Sequence, residues 1–372
     1  MFTNNIEFKN FNIKLKKSNK IRYLFNKLLK ENNEILKSFS SSYKDSYSKK
    51  IVSKLNKVSQ IILIGMGGSS LGSRSIYSFL KKKINKVFYF KDNLEITKFD
   101  LKTNNKKKLN IIISKSGNTL ETIFNSNILI KKTSKNIFIT ENKQSYLFDL
   151  AKKLKSEIIY HNNFIGGRYS VLSEVGMLPA LLMGLNPKKF KRFDNLIKNK
   201  RFINSLISNV ISTVALIRKK KYNSIILNFD ENSEGLFNWY QQLIAESLGK
   251  KSKGLLPVVS NLPRDNHSMM QLYLDGPSTN FYTFFDVLDH SKNNHLANIK
   301  LAQKYATQTI FKRKKIPFRS FDLLDRSESS LGEMFTFFML ETILIGEALN
   351  LDPFNQPAVE LIKIETKKIL NT

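Results

Sequence analysis

Residues 111–122 read IIISKSGNTLET, and the change of character inside that stretch decides the fold class. Asn110 to Ile113 is a short aliphatic run of the kind buried in a parallel sheet. Ser114, Lys115, Ser116, Gly117, Asn118 and Thr119 follow as a polar turn, and 120–130 has helical spacing. Backbone N–H groups at a helix start have no intrahelical partner and carry partial positive charge. A strand, a hydroxylated loop and a helix in that order therefore make an anion site. Three hydroxyls and one ammonium suit a phosphate. An ordinary Ser/Thr helix cap gives the same local pattern, so the loop alone does not identify a ligand.

Upstream, residues 61–72 read IILIGMGGSSLG and repeat the arrangement. Gly65, Gly67 and Gly68 permit a tight turn with close backbone approach, and Ser69, Ser70 and Gly72 open a helix. The spacing approaches a GxGxxG dinucleotide fingerprint, but Ser70 stands where the third Gly belongs. Such a site also needs an acid roughly 20 residues further on. Asp92, after the strand 87–90, keeps that alternative open.

Around these two loops strands alternate with helices, which is the rhythm of a doubly wound parallel sheet. Strands are expected near 60–64, 86–90, 110–114, 136–140 and 157–160. The Lys-rich segment 187–201 breaks the rhythm, a long helix covers 202–217, and strands resume at 224–229, 255–259, 281–287 and 318–323. Helices are expected near 235–249, 268–274, 295–314 and 328–349. The fold class is α/β: two tandem three-layer αβα sandwiches with helical N- and C-terminal extensions. The boundaries fall at 1–44, 45–190, 191–350 and 351–372, with a site in the cleft between the sandwiches.

Composition narrows the chemistry. The 372 residues contain no cysteine, which excludes disulfides, thiolate catalysis and Cys-based metal sites. The four histidines, His161, His267, His290 and His295, form no HxH or HxxxH pair, so no metal is expected. A net charge of +31 raises the possibility of nucleic acid. The basic clusters at 14–20, 81–83, 106–108, 218–221 and 312–315 form no single stripe, however, and no aromatic-basic stacking motif accompanies them. No nucleic-acid partner is expected; a positive field instead raises the encounter rate of anionic substrates. The N-terminal stretch lacks an apolar core of signal-peptide length. The apolar stretch 334–349 contains Glu341 and Glu347 and is too short and charged to span a bilayer. A cytoplasmic protein without a membrane partner is expected.

Further candidates lie outside the loops. Residues 163–176, NFIGGRYSVLSEVG, place Arg168 after a glycine pair and just before a helix. Gln242 and Glu246 are four apart on one helix and share a face. His267 precedes a short helix in NLPRDNHSMMQLYLDGP. In NLDPFNQPAVELIK, Pro357 suits a first helical position, and Gln356 and Lys363 are seven apart. Taken singly, each has a plain structural reading as a surface charge or a capped turn.

In combination and in order, IGMGGSSLG, SKSGNTLET, GGRYSVLSEVG, QQLIAESLGK, DNHSMMQLY and PFNQPAVELIK resemble the glucose-6-phosphate isomerase family, whose members contain two sugar-isomerase (SIS) domains. The resemblance runs from about residue 60 to 363. It implies that Ser114, Lys115, Ser116 and Thr119 hold a substrate phosphate, with Gly68 and Ser69 beside the sugar. Glu246 is implied as the base that moves a proton between carbons 2 and 1, and Arg168 faces the developing enediolate. His267 with Lys363 resembles the pair that opens the sugar ring, and Gln242 and Gln356 resemble substrate or phosphate contacts. The family's His comes from a neighbouring subunit, so a homodimer is implied. No cofactor is needed for such chemistry: removing a weakly acidic C–H proton requires a carboxylate near the carbon and a cation near the oxygen. The alternative is a regulator of the same fold that binds phosphosugars without turnover.

Overall fold

The computed structural model describes residues 2–13, 19–48, 50–51, 55, 58–94, 108–131, 134–289 and 294–370. His290 and the lysines at 14, 16, 17, 106 and 107 lie outside them. The first sheet is five parallel strands: β2 (Gln60–Ile64), β3 (Val87–Lys91), β4 (Lys108–Ile113), β5 (Lys135–Thr140) and β6 (Glu157–Tyr160). Their side chains alternate between two buried layers. Ile61, Leu63, Ile111 and Ile113 pack into the main core, while Ile62, Ile64, Ile112 and Phe138 pack under the opposite helices. Burial on both faces is why these strands read as unbroken aliphatic runs.

The strand order is β3-β2-β4-β5-β6, so the winding reverses between β2 and β4. A reversal leaves a crevice beyond the carboxyl ends of the two strands. The glycine loop leaves Ile64 and the hydroxylated loop leaves Ile113. Both therefore open onto that crevice.

The second sheet repeats the winding with β7 (Asn223–Asn228), β8 (Leu256–Asn261), β9 (Asn280–Val287) and β10 (Phe318–Leu323). Its order is β1-β10-β9-β7-β8, and β1 (Ile6–Lys9) pairs antiparallel with β10. This strand departs from the helical N-terminus expected for residues 1–44. Four residues of IEFK are too few to show a period, and what holds them is tertiary: Phe8 lies 4.7 Å from Phe321, ring centre to ring centre. Helices Asn19–Lys30 and Glu34–Phe39 do follow.

The lobes meet through the helices after their first strands, Leu71–Phe79 and Glu234–Leu248. Approach is close: a Cβ added at Gly235 would lie 3.2 Å from the Ser75 Cα. At the second sheet's own reversal, Arg326 fills the space. Its guanidinium bonds to Asp230 at 2.7 Å, to Asp289 at 2.6 Å, and to the Phe79 carbonyl at 3.4 Å. Replacing Arg326 by Met should destabilise the fold by about 2–3 kcal/mol, since it strands Asp230 while Asp289 keeps some solvent. A urea titration reads that loss, and an unchanged midpoint would refute it.

The apolar stretch near 334–349 belongs to helix Glu328–Ala348, whose most apolar window is 94% buried inside the protein. Its charge is neutralised locally. Arg319 pairs with Glu341, which also accepts from Asn209 Nδ2 at 2.6 Å.

Candidate active site

At the end of β4, Ser114 is buried and its hydroxyl lies 3.0 Å from that of Thr119. Thr119 is the N-cap residue of helix Leu120–Leu129, yet its side chain makes no capping bond. The hydroxyls face each other across the loop instead, which removes the ordinary-cap reading. Gly117 turns the loop at φ +67°, where a Cβ would meet Ser145 Oγ at 2.0 Å, so no larger residue fits. Ser116 is exposed, and its hydroxyl accepts from Asn118 N at 3.2 Å. Lys115 Nζ donates to the Asn163 carbonyl at 2.6 Å and lies 3.6 Å from Glu141.

The glycine loop is pressed onto two other segments. A Cβ at Gly68 would sit 2.1 Å from the Gly167 carbonyl carbon, and one at Gly67 would sit 2.7 Å from Gln242 Nε2. Backbone thus touches backbone between IGMGGSS and GGRYS. Ser69 is half-buried in the same turn. Asp92 is engaged elsewhere: Arg74 grips it with two bonds of 3.1 and 2.7 Å, and Ser70 Oγ donates to it at 3.2 Å. The dinucleotide alternative therefore loses its ribose-binding acid.

Arg168 follows the glycine pair and is 2% exposed. All five of its N–H groups are used. Nε donates to Ser247 Oγ at 2.8 Å, Nη1 to Glu246 at 3.2 Å and Gln356 Oε1 at 2.7 Å, and Nη2 to the Pro353 and Asn355 carbonyls at 2.8 and 3.1 Å. Trp239 Nε1 donates to the Arg168 carbonyl at 3.2 Å, fixing the backbone as well. On helix Glu234–Leu248, Leu243 and Ile244 face the core, while Gln242 Nε2 donates to Glu246 Oε1 at 2.9 Å across one turn. The Glu246 side chain keeps 29% of its exposure. Gln242 Oε1 is buried and has no hydrogen-bond partner among the described residues.

Beside this carboxylate is a cavity of about 560 Å³ lined by Glu246, Lys250, Asp352, Asn355 and Gln356. Lys250 Nζ donates to the Asp352 carbonyl. Burial lowers its pKa first and the Arg168 charge lowers it further, against opposing pulls from Asp352 and Glu246.

One chain thus brings Gly68, Arg168, Gln242, Glu246 and Gln356 together, and places Ser114, Lys115, Ser116 and Thr119 along the same crevice. It does not bring in His267 or Lys363. His267 is exposed on the short helix Asp265–Ser268 beyond β8. Lys363 lies on helix Pro357–Leu370, which buries no residue, and pairs with Glu360 at 2.6 Å. Sequence reasoning missed Ser247, Lys250 and the Pro353 and Asn355 carbonyls. Lys250 carries a signal, four residues beyond Glu246; backbone carbonyls carry none.

Known proteins match this architecture. The phosphoglucose isomerase profile matches residues 26–254. The glucose-6-phosphate isomerase of Methanocaldococcus jannaschii is 31% identical over 345 residues, covering 85% of this chain and 84% of the relative. That of Mycoplasmopsis pulmonis is 30% identical over 359 residues, with 85% and 84% covered. Among solved structures, a hypothetical protein from Thermus thermophilus superposes with a TM-score of 0.78 at 20% identity, covering 95% of this chain and 94% of the other. A glucose-6-phosphate isomerase from Chlamydia trachomatis gives 0.74 at 17% identity, covering 91% and 78%. The solved structures establish the two-lobed fold; the profile and the curated relatives go further, and the chain belongs to the phosphoglucose isomerase family.

Proposed function

We propose that this protein interconverts glucose 6-phosphate and fructose 6-phosphate, an aldose–ketose isomerisation through a cis-enediolate that serves glycolysis and gluconeogenesis. The observation that supports it most is the 3.2 Å approach of a saturated, buried guanidinium to a carboxylate open to a cavity. Glu246 takes the proton from carbon 2, leaving an enediolate charged on the carbon-1 oxygen, which Arg168 meets. The hydroxyl proton then moves from the carbon-2 oxygen to the carbon-1 oxygen, and Glu246 returns its proton to carbon 1 as the carbonyl forms at carbon 2. The Arg168 Nη1 hydrogen bonds, now made to Glu246 and Gln356, turn toward the charged substrate oxygen while the protons stay on Arg168. Gln242 steadies Glu246 through Nε2, and with Gln356 it contacts the substrate. The backbone at Gly68 and the Ser69 hydroxyl lie beside the sugar.

Remote binding positions the sugar. Ser114, Lys115, Ser116 and Thr119 hold the phosphate at the start of helix Leu120–Leu129. Lys115→Met should raise KM by roughly 10–100-fold, the worth of one charge-assisted hydrogen bond, with a smaller effect on kcat. Steady-state kinetics decide it, and an unchanged KM removes Lys115 from the phosphate site.

The sites of His267 and Lys363 fit a homodimer in which the His267 of one subunit reaches the cleft of its partner to open the pyranose ring, with Lys363 assisting from the C-terminal segment 351–372. The remaining division is 1–44 as an extension and 45–190 and 191–350 as the two lobes, acting in the cytoplasm. Mixed dimers test the sharing. Glu246→Gln and His267→Ala chains, each inactive alone, should regain about one quarter of wild-type activity when unfolded and refolded together, because half the dimers carry one intact site. No recovery would place each site within a single chain.

A coupled assay with purified protein tests the activity itself. Conversion in both directions is expected. Binding of sugar phosphate without turnover would reject the isomerase in favour of a phosphosugar-binding regulator.

A further inference from the structure

His161 and Glu174 take no part in the chemistry above, yet both are buried within the first lobe. His161 Nδ1 lies 2.5 Å from Glu174 Oε1, and Nε2 lies 3.0 Å from the Ile165 carbonyl. The Ile165 carbonyl can only accept, so Nε2 donates to it, and Nδ1 shares the short bond with the Glu174 carboxyl. Glu174 Oε1 also accepts from Asn162 N at 3.1 Å, and Oε2 from the Tyr43 hydroxyl at 3.2 Å. Burial works to raise the Glu174 pKa, but the hydrogen bond and charge of His161, with the Glu174 and Asn162 backbone N–H groups, hold it below the ordinary value. Asp45 and Lys191, paired at 3.1 Å, act on the same cluster, and Glu34 accepts from Asn162 Nδ2 at 3.0 Å.

These bonds fasten a segment that touches both halves of the crevice. The Asn163 carbonyl receives Lys115 Nζ, Gly167 lies against Gly68, and Arg168 comes next. We propose that the His161–Glu174 pair is a positioning device, fixing residues 162–167 so that Lys115 and Arg168 keep a set separation; this rests on the isomerase reading above. Neither residue touches substrate. The separation matters because a sugar phosphate is held at one end and reacts at the other, and a shift of about 1 Å between the two costs roughly 100-fold in rate.

His161→Asn leaves an amide donor for Glu174 but lacks the reach to the Ile165 carbonyl. Its kcat per folded molecule should fall roughly 10–100-fold, while inhibition by inorganic phosphate stays within about threefold of wild type. Tyr43→Phe removes the hydroxyl's contacts with Glu174 Oε2 and the Asn162 side chain and leaves the ring in place, and its kcat should fall a few-fold with the melting temperature nearly unchanged. A merely structural pair would lower the folded fraction and leave kcat per folded molecule intact, which overturns the proposal. Should His161→Asn not fold, Tyr43→Phe decides, and unaltered kcat there overturns it equally. No turnover in the wild type would sink the isomerase reading and the device together; normal wild-type turnover with unaffected variants sinks the device alone.

Discussion

Replacing Glu246 by Gln should lower kcat by roughly 10²–10⁴-fold while KM for either sugar phosphate changes little. Gln has the same shape; its amide oxygen still accepts from Arg168 Nη1, while its nitrogen faces Gln242, whose amide turns to accept from it, so the cluster of bonds around Arg168 stays in place. What disappears is the carboxylate that Arg168 contacts. The phosphate loop, on a different strand, is untouched, which is why binding survives. Hydrogen at carbon 2 exchanges with solvent whenever the base releases its proton, so isotope exchange from deuterated water should vanish with turnover. Retention of more than about a tenth of the activity, with exchange intact, would assign the base elsewhere.

Arg168→Lys should cost roughly 10²–10³-fold in kcat and destabilise the protein as well. One ammonium cannot reproduce a planar fork that reaches Ser247, Gln356 and two carbonyls at once. The Asn355 carbonyl loses its Arg168 donor and the Pro353 carbonyl keeps only the Tyr169 hydroxyl, so the segment that carries Gln356 loosens. The two losses separate in the measurement: a melting curve reports the carbonyls, and kcat at saturating substrate among folded molecules reports the cation. A variant within about threefold of wild type in kcat would mean that Arg168 is structural.

The strands and the two loops were legible because their signals are local: an aliphatic run followed by Gly, Ser and Lys has few other readings. Asp92 shows the limit. Its spacing from the glycines fits a ribose-binding acid, and only the fold reveals that Arg74 already occupies it. β1 was missed because four residues have no period, and its partner lies more than 300 residues away. Lys304, Asp286 and Asp322 look like solvated charges in the sequence but form a buried set, with Lys304 wholly inaccessible. For Glu246, i,i+4 spacing placed Gln242 correctly. Nothing in the spacing of His267 or Lys363 showed that both would stand outside their own chain's cleft.

Two lobes with the same winding create two equivalent crevices, and Arg326 with its aspartates seals the second. The protein should accordingly behave as univalent: calorimetric titration with a sugar phosphate should saturate at one equivalent per chain, despite a topology that offers room for two.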